Sequence, residues 1–138
     1  MTEENSRQNL QAEMAMARES LQASRLCFQA QLFNESVSRA YYAVFHCVQA
    51  VLFTRGLEAK THGGTHDLLY THFVKAGVFP PEVAKAYAGL QRYRQIADYS
   101  RTMRFESANA KAEIDAAERL FSAFESWLGA GGWLTTGH

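Results

Sequence analysis

Only two prolines occur in this chain, and they are adjacent, Pro80 and Pro81. A proline inside a helix removes a backbone donor and clashes with the preceding turn, so prolines mark where helices must stop. Everything before and after this pair is free to be helical, and alanine, leucine, glutamine, glutamate and arginine are abundant there. The sequence therefore reads as all-α, an antiparallel up-and-down bundle of four long helices plus a short one.

Apolar spacing sets the expected elements. Helix one covers about Ser6 to Ala30, with Leu10, Met14, Ala17, Leu21 and Phe28 inward. Phe33-Asn34 breaks the chain, and Asn34 is the expected N-cap of helix two, about Glu35 to Arg55, which ends at Gly56. Leu57 to Gly64 is expected to be a loop. Helix three opens at Thr65 and ends near Gly77, because Gly63 and Gly64 disfavour an earlier start. Pro80-Pro81 starts helix four, which runs to about Asp98. Helix five covers about Ser107 to Leu128. Residues 1–128 form one domain, and 129–138 form a flexible tail from which Trp133 and Leu134 can dock back.

The charges bound the function. Fourteen basic and fourteen acidic residues cancel, which argues against strong non-specific binding to duplex nucleic acid. Cys27 and Cys47 lie in apolar helical stretches and read as reduced, buried thiols of a cytoplasmic protein. The start, Met1-Thr-Glu-Glu-Asn-Ser6, is acidic and polar, unlike a secretory signal. The longest near-apolar run, Ala40 to Phe53, is too short to span a bilayer, so no membrane association is expected.

One stretch breaks the rules of a plain bundle, Arg94-Gln-Ile-Ala-Asp98-Tyr99. Val83, Tyr87, Leu90 and Ala97 share one side of helix four, and Arg94 falls among them. An arginine on a buried stripe is costly unless it is paired, hydrogen-bonded or facing a second surface. Asp98 lies one turn later and can pair with it. Two readings stay open: a guanidinium poised for phosphate or RNA, or a structural ion pair at the end of helix four.

Helix two carries a second anomaly. Val37, Tyr41, Val44, Val48 and Val51 form its core stripe, while Arg39, Tyr42, His46, Gln49 and Phe53 lie opposite. That second face reads as a subunit interface or a ligand groove lined by Arg39, Tyr42 and His46; alternatively helix two is the fully surrounded central helix. His62, His66, His72 and Asp67 approach metal-ligand spacing, but no H-E-x-x-H pattern is present and no metal or cofactor is assigned. His62, beside Lys60 and two glycines, is a candidate anion ligand. Gly63-Gly64 lacks the spacing of a phosphate-binding loop.

These segments together resemble the HEPN-domain proteins. Asn34-Glu-Ser-Val-Ser-Arg39-Ala-Tyr41-Tyr42-Ala-Val-Phe45-His46 is similar to the helix-two signature of small members. Leu57-Glu-Ala-Lys60-Thr-His62, His72-Phe-Val-Lys-Ala-Gly77 and Arg94-Gln-Ile-Ala-Asp98-Tyr99 follow in the same order and spacing. The resemblance implies a dimerising helical bundle. It also implies kinship with metal-independent ribonucleases, often toxins paired with a minimal nucleotidyltransferase antitoxin. Their signature is an arginine, four to six residues, then a histidine, with two copies meeting at the dimer interface.

Arg94 matches the arginine, but Tyr99, Ser100 and Arg101 occupy the positions where the histidine would stand. Histidine exchanges protons near neutral pH, whereas tyrosine titrates near pH ~10. The resemblance therefore points to a subfamily with an Arg-x3-Asp-Tyr ending. The expected function is a homodimeric module that binds a nucleotide, RNA or a nucleotidyltransferase partner without strong catalysis, through Arg94, Asp98, Tyr99, Arg39, Tyr42, His46 and His62. The alternatives are a ribonuclease toxin using Arg94 and Tyr99 as catalytic candidates, or a purely structural interaction domain.

Overall fold

The computed structural model describes residues 2–134. They form an antiparallel helical bundle: α1 (Glu3–Gln29), α2 (Phe33–Phe53), α3 (His62–Leu69), α4 (Pro81–Tyr99) and α5 (Ser107–Ala130). A single π-helical turn, Tyr70–Val74, extends α3. No strand occurs among the described residues.

Local chemistry explains most of the boundaries. Thr2 caps α1 by accepting from the Asn5 amide at 3.1 Å, and Glu3 and Glu4 sit in the first turn, where the helix dipole favours negative charge. Pro81 is the first residue of α4. α5 opens on a reciprocal capping box between Glu106 and Asn109.

Two expected boundaries are corrected. Asn34 does not cap α2; the residue at the cap is Leu32, which offers no side-chain bond. Asn34 instead donates to the Met103 carbonyl at 3.0 Å and accepts from the Phe105 amide at 2.8 Å. It ties the start of α2 to the α4–α5 connection. α3 begins at His62, not Thr65, so Gly63 and Gly64 lie inside its first turn. Thr61 caps it by accepting from the Gly64 amide at 3.0 Å. A good cap stabilises a helix end by ~1 kcal/mol, enough to offset much of one glycine's penalty.

α2 is the central helix. It packs against α1, α3, α4 and α5, and only Glu35 and Arg39 along it are exposed. Val37, Tyr41, Val44, Val48 and Val51 are fully buried, as the core stripe requires. Phe53, placed on the second face, is also core, at 6% exposure. Tyr42, Phe45, His46 and Gln49 are half-buried. The bundle thus surrounds the C-terminal part of α2 and leaves a partly open strip along its middle. Close approach of α1 and α2 is allowed by buried serines, with Ser24 Oγ donating to the Ser36 carbonyl at 2.7 Å.

α1 is strapped to α5 by Arg18–Glu125 at 3.0 Å and Arg25–Glu118 at 2.6 Å. Residues expected to open the tail are helical through Ala130. Arg7 then donates to the Gly132 carbonyl at 2.6 Å and lies over the Trp133 ring at 4.8 Å. The rest of the expected tail, 135–138, lies outside the described residues. Cys47 is buried and Cys27 half-buried, both free; burial pushes the Cys47 thiol well above its ordinary range, so it packs as a small apolar side chain. Among the described residues, no helix is long and apolar enough to cross a membrane.

Candidate functional site

Arg94 is buried, at 8% exposure. α4 turns it inward against α2, as its place among Val83, Tyr87 and Leu90 requires. Its guanidinium meets aromatic faces: Cζ lies 5.0 Å from the Tyr41 ring centroid, 5.7 Å from Tyr42 and 6.0 Å from Tyr99. Cation–π contacts of this kind contribute roughly 0.5–2 kcal/mol each, more where water is excluded. Nη1 donates to Asp98 Oδ2 at a long 3.4 Å. Nε is buried and has no hydrogen-bond partner among the described residues. Burial works against the charge, but Tyr42, Asp98, Tyr41 and Tyr99 together outweigh it and raise the Arg94 pKa. The guanidinium is therefore a permanent, incompletely bonded cation in an aromatic cage.

Tyr41 is the hub of that cage. Its ring is fully buried and stacks parallel to Tyr87 at 5.9 Å. Its hydroxyl lies 3.3 Å from His62 Nδ1. Burial raises the Tyr41 pKa, with Arg94 among the opposing influences, so the phenol stays protonated at neutral pH. The His62 ring stacks on Phe45 at 4.2 Å. Burial first, then the charges of Arg94 and His46, lower the His62 pKa. Beneath it, Thr65 Oγ1 donates to the His62 carbonyl at 2.6 Å. That hydroxyl proton is then committed, so Tyr87 donates to Thr65 Oγ1, also at 2.6 Å.

Of the residues singled out from sequence, Arg94, Asp98, Tyr99, Tyr42 and His62 meet in this one cluster. Tyr99 is 74% exposed and forms its outer wall. Arg39 does not join: it is exposed and pairs at 3.8 Å with Glu35 on its own helix. His46 turns towards α1, where Glu13 Oε2 lies 2.7 Å from Nδ1, and Gln49 donates to the other Glu13 oxygen at 3.3 Å.

Tyr41, Phe45, Tyr87 and Thr65 belong to the site without having been singled out for it. One signal pointed to Tyr41: a phenol on a core stripe needs a polar partner. Glu13 gave none, since its partner lies on another helix. The three histidines of the α3 region do not converge, and no group of three or more His, Cys, Asp or Glu among the described residues could hold a metal ion. Beside Asp98 a groove of about 690 Å³ opens between the α1–α2 turn and the α4–α5 connection, with Asn34, Ser100 and Arg104 in its walls.

The family model for the HEPN domain matches residues 11–127. The chain belongs to the HEPN family. Among its relatives, a UPF0332 protein of Gloeobacter violaceus is 41% identical over 86 residues, covering 62% of this chain and 68% of the relative. A UPF0332 protein of Thermotoga maritima is 34% identical over 112 residues, covering 81% and 85%. A protein of Methanocaldococcus jannaschii, named as a candidate toxin, is 33% identical over 94 residues, covering 68% and 70%. Arg94, Asp98 and Tyr99 all lie within the span of the HEPN match.

Proposed function

We propose that this HEPN chain is a binding module whose Arg94 site holds the phosphate of a nucleotide or RNA, and that it acts as a homodimer. The observation that carries this reading is the buried Arg94 guanidinium, whose Nε lacks any partner and whose Asp98 contact is long. A structural ion pair would be expected to close tighter and to satisfy the buried donors. An arginine fork held open by tyrosine rings is suited to accept phosphate oxygens, and the exposed Tyr99 ring offers a face on which a base can stack. The half-open strip of α2, with Tyr42, Phe45 and His46, is the surface we assign to a second copy or to a nucleotidyltransferase partner.

Titration with nucleotides and short single-stranded RNA tests the reading. Binding should be present in the wild type and weakened at least about tenfold by Arg94→Lys, which keeps the charge but not the fork. Light scattering at micromolar concentration should give a dimer. Failure to bind any of these ligands, with Arg94→Lys changing only thermal stability, would leave a purely structural domain.

A second reading is a ribonuclease toxin: the name of the Methanocaldococcus relative favours the toxin part, and His62 at Tyr41 offers a group for the chemistry. It predicts growth arrest on expression, relieved by Arg94→Ala, and cleavage of RNA by purified protein. Tyr99 stands where the family histidine would, so binding is the reading we place first.

A further inference from the structure

Arg94 and His62 flank the same two tyrosines. Arg94 Cζ lies 5.0 and 5.7 Å from the Tyr41 and Tyr42 ring centroids, and the His62 ring lies 6.3 and 5.9 Å from those same rings. His62 Nδ1 faces the Tyr41 hydroxyl, while Nε2 has no hydrogen-bond partner among the described residues. The side chain is exposed, so Nε2 is open to a ligand that also reaches the guanidinium.

The ionisable groups around His62 are Tyr41, Tyr42 and His46 on α2, Arg94 on α4, and Lys60 and His66 in its own segment. Among the described residues no carboxylate pairs with His62: Asp98 is engaged by Arg94, Glu13 by His46, and Asp67, on its own helix, lies 3.8 Å from His66. With these cationic and neutral neighbours alone, the imidazole is held neutral near pH 7.

A phosphodiester brings a single negative charge and must compete with Asp98 for Arg94. A terminal phosphomonoester brings about −1.5 to −2 at pH 7. One guanidinium, already facing a carboxylate, leaves much of that charge unbalanced. His62 is the group placed to supply the missing cation, because an anion beside Arg94 reverses the sign of the field it feels.

We infer that the Arg94 site takes a terminal phosphomonoester, and that His62 takes up a proton as the ligand binds. The inference rests on the reading of Arg94 as a phosphate site. Isothermal titration of the full chain tests it, with adenosine 5′-monophosphate, the corresponding dinucleoside monophosphate as a diester, and adenosine as probes. Titrations are run at about pH 6.5 and about pH 8, in buffers of contrasting ionisation enthalpy.

The monoester should bind at least about tenfold tighter than the diester, with net proton uptake. Its affinity should strengthen by up to about tenfold per unit fall in pH over that range. His62→Gln should lose the proton uptake, the pH slope and the preference for the monoester together. An NMR titration of the His62 ring in the wild type gives a second readout: its pKa should rise when the monoester is added. Equal affinity for monoester and diester without proton uptake, in a chain whose binding still depends on Arg94, would overturn this inference and leave the phosphate site standing. If none of the probes binds, both fall together.

Discussion

Tyr41 and His62 meet at 3.3 Å, hydroxyl to Nδ1, while the Tyr41 ring lies under the Arg94 guanidinium, 5.0 Å from Cζ to the ring centroid. One core residue of α2 thus joins the first residue of α3 to the last turns of α4. The two contacts separate chemically, since the ring serves Arg94 and the hydroxyl serves His62.

Tyr41→Phe should therefore keep the cation–π contact and release the histidine. The expected loss of stability is about 0.5–1.5 kcal/mol, the net worth of one hydrogen bond. Tyr41→Ala removes a fully buried ring and should cost about 3–5 kcal/mol. Thermal or urea melts of the two variants give the comparison. A Phe variant as unstable as the Ala variant would show that the hydroxyl, not the ring, holds this junction.

The depressed His62 pKa gives a pH dependence with a definite sign. Its unfolded value is about 6.5 and its folded value is lower, so between the two the unfolded chain binds the extra proton. The stability tied to neutral His62 is complete above about pH 6.5 and is lost as pH falls towards the folded value. Melting temperatures compared at about pH 7.5 and about pH 5.5 should fall more in the wild type than in His62→Gln. Identical falls would show that His62 titrates normally.

Gly63 and Gly77 should respond in opposite directions to alanine. Gly63 lies in the first turn of α3 with open space where a Cβ would stand, so Gly63→Ala should stabilise by roughly 0.5–1 kcal/mol. Gly77 has φ +83°, a conformation that strains an L side chain, so Gly77→Ala should destabilise by about 1 kcal/mol or more. Chemical denaturation of both variants checks the pair.

What could be read from the sequence followed from how local each signal is. Arg94 stood out because it interrupts an apolar stripe on its own helix, and Asp98 was found one turn away by the same periodicity. Tyr41 fits the valine stripe of α2 so well that only its phenol marks it, and the partner of that phenol is His62, 21 residues further along the chain. Asn34 has the residue type of a cap, but its partners are backbone groups at 103 and 105. Glu13 carries no sign on α1 of the histidine it holds on α2. Helix type and order are written in spacing; which polar groups meet across helices is written in packing, which spacing does not encode.

Asp98 offers the sharpest separation of structure from binding. Its carboxylate is the sole ionic partner of Arg94 among the described residues, at 3.4 Å, with side-chain exposures of 9% for Arg94 and 27% for Asp98. Asp98→Asn keeps the shape and removes the negative charge. Arg94 then sits in its tyrosine cage without a counter-charge, so the fold should weaken by about 1–3 kcal/mol. If Arg94 were only a structural pair, that loss would be the whole effect. If the site receives an anion, removing the internal competitor raises its positive potential, and anion affinity should rise several-fold while stability falls. A melt and a titration on the same sample therefore move in opposite directions under the binding reading. A destabilised variant with unchanged or weaker anion affinity would return Asp98 to a purely structural role.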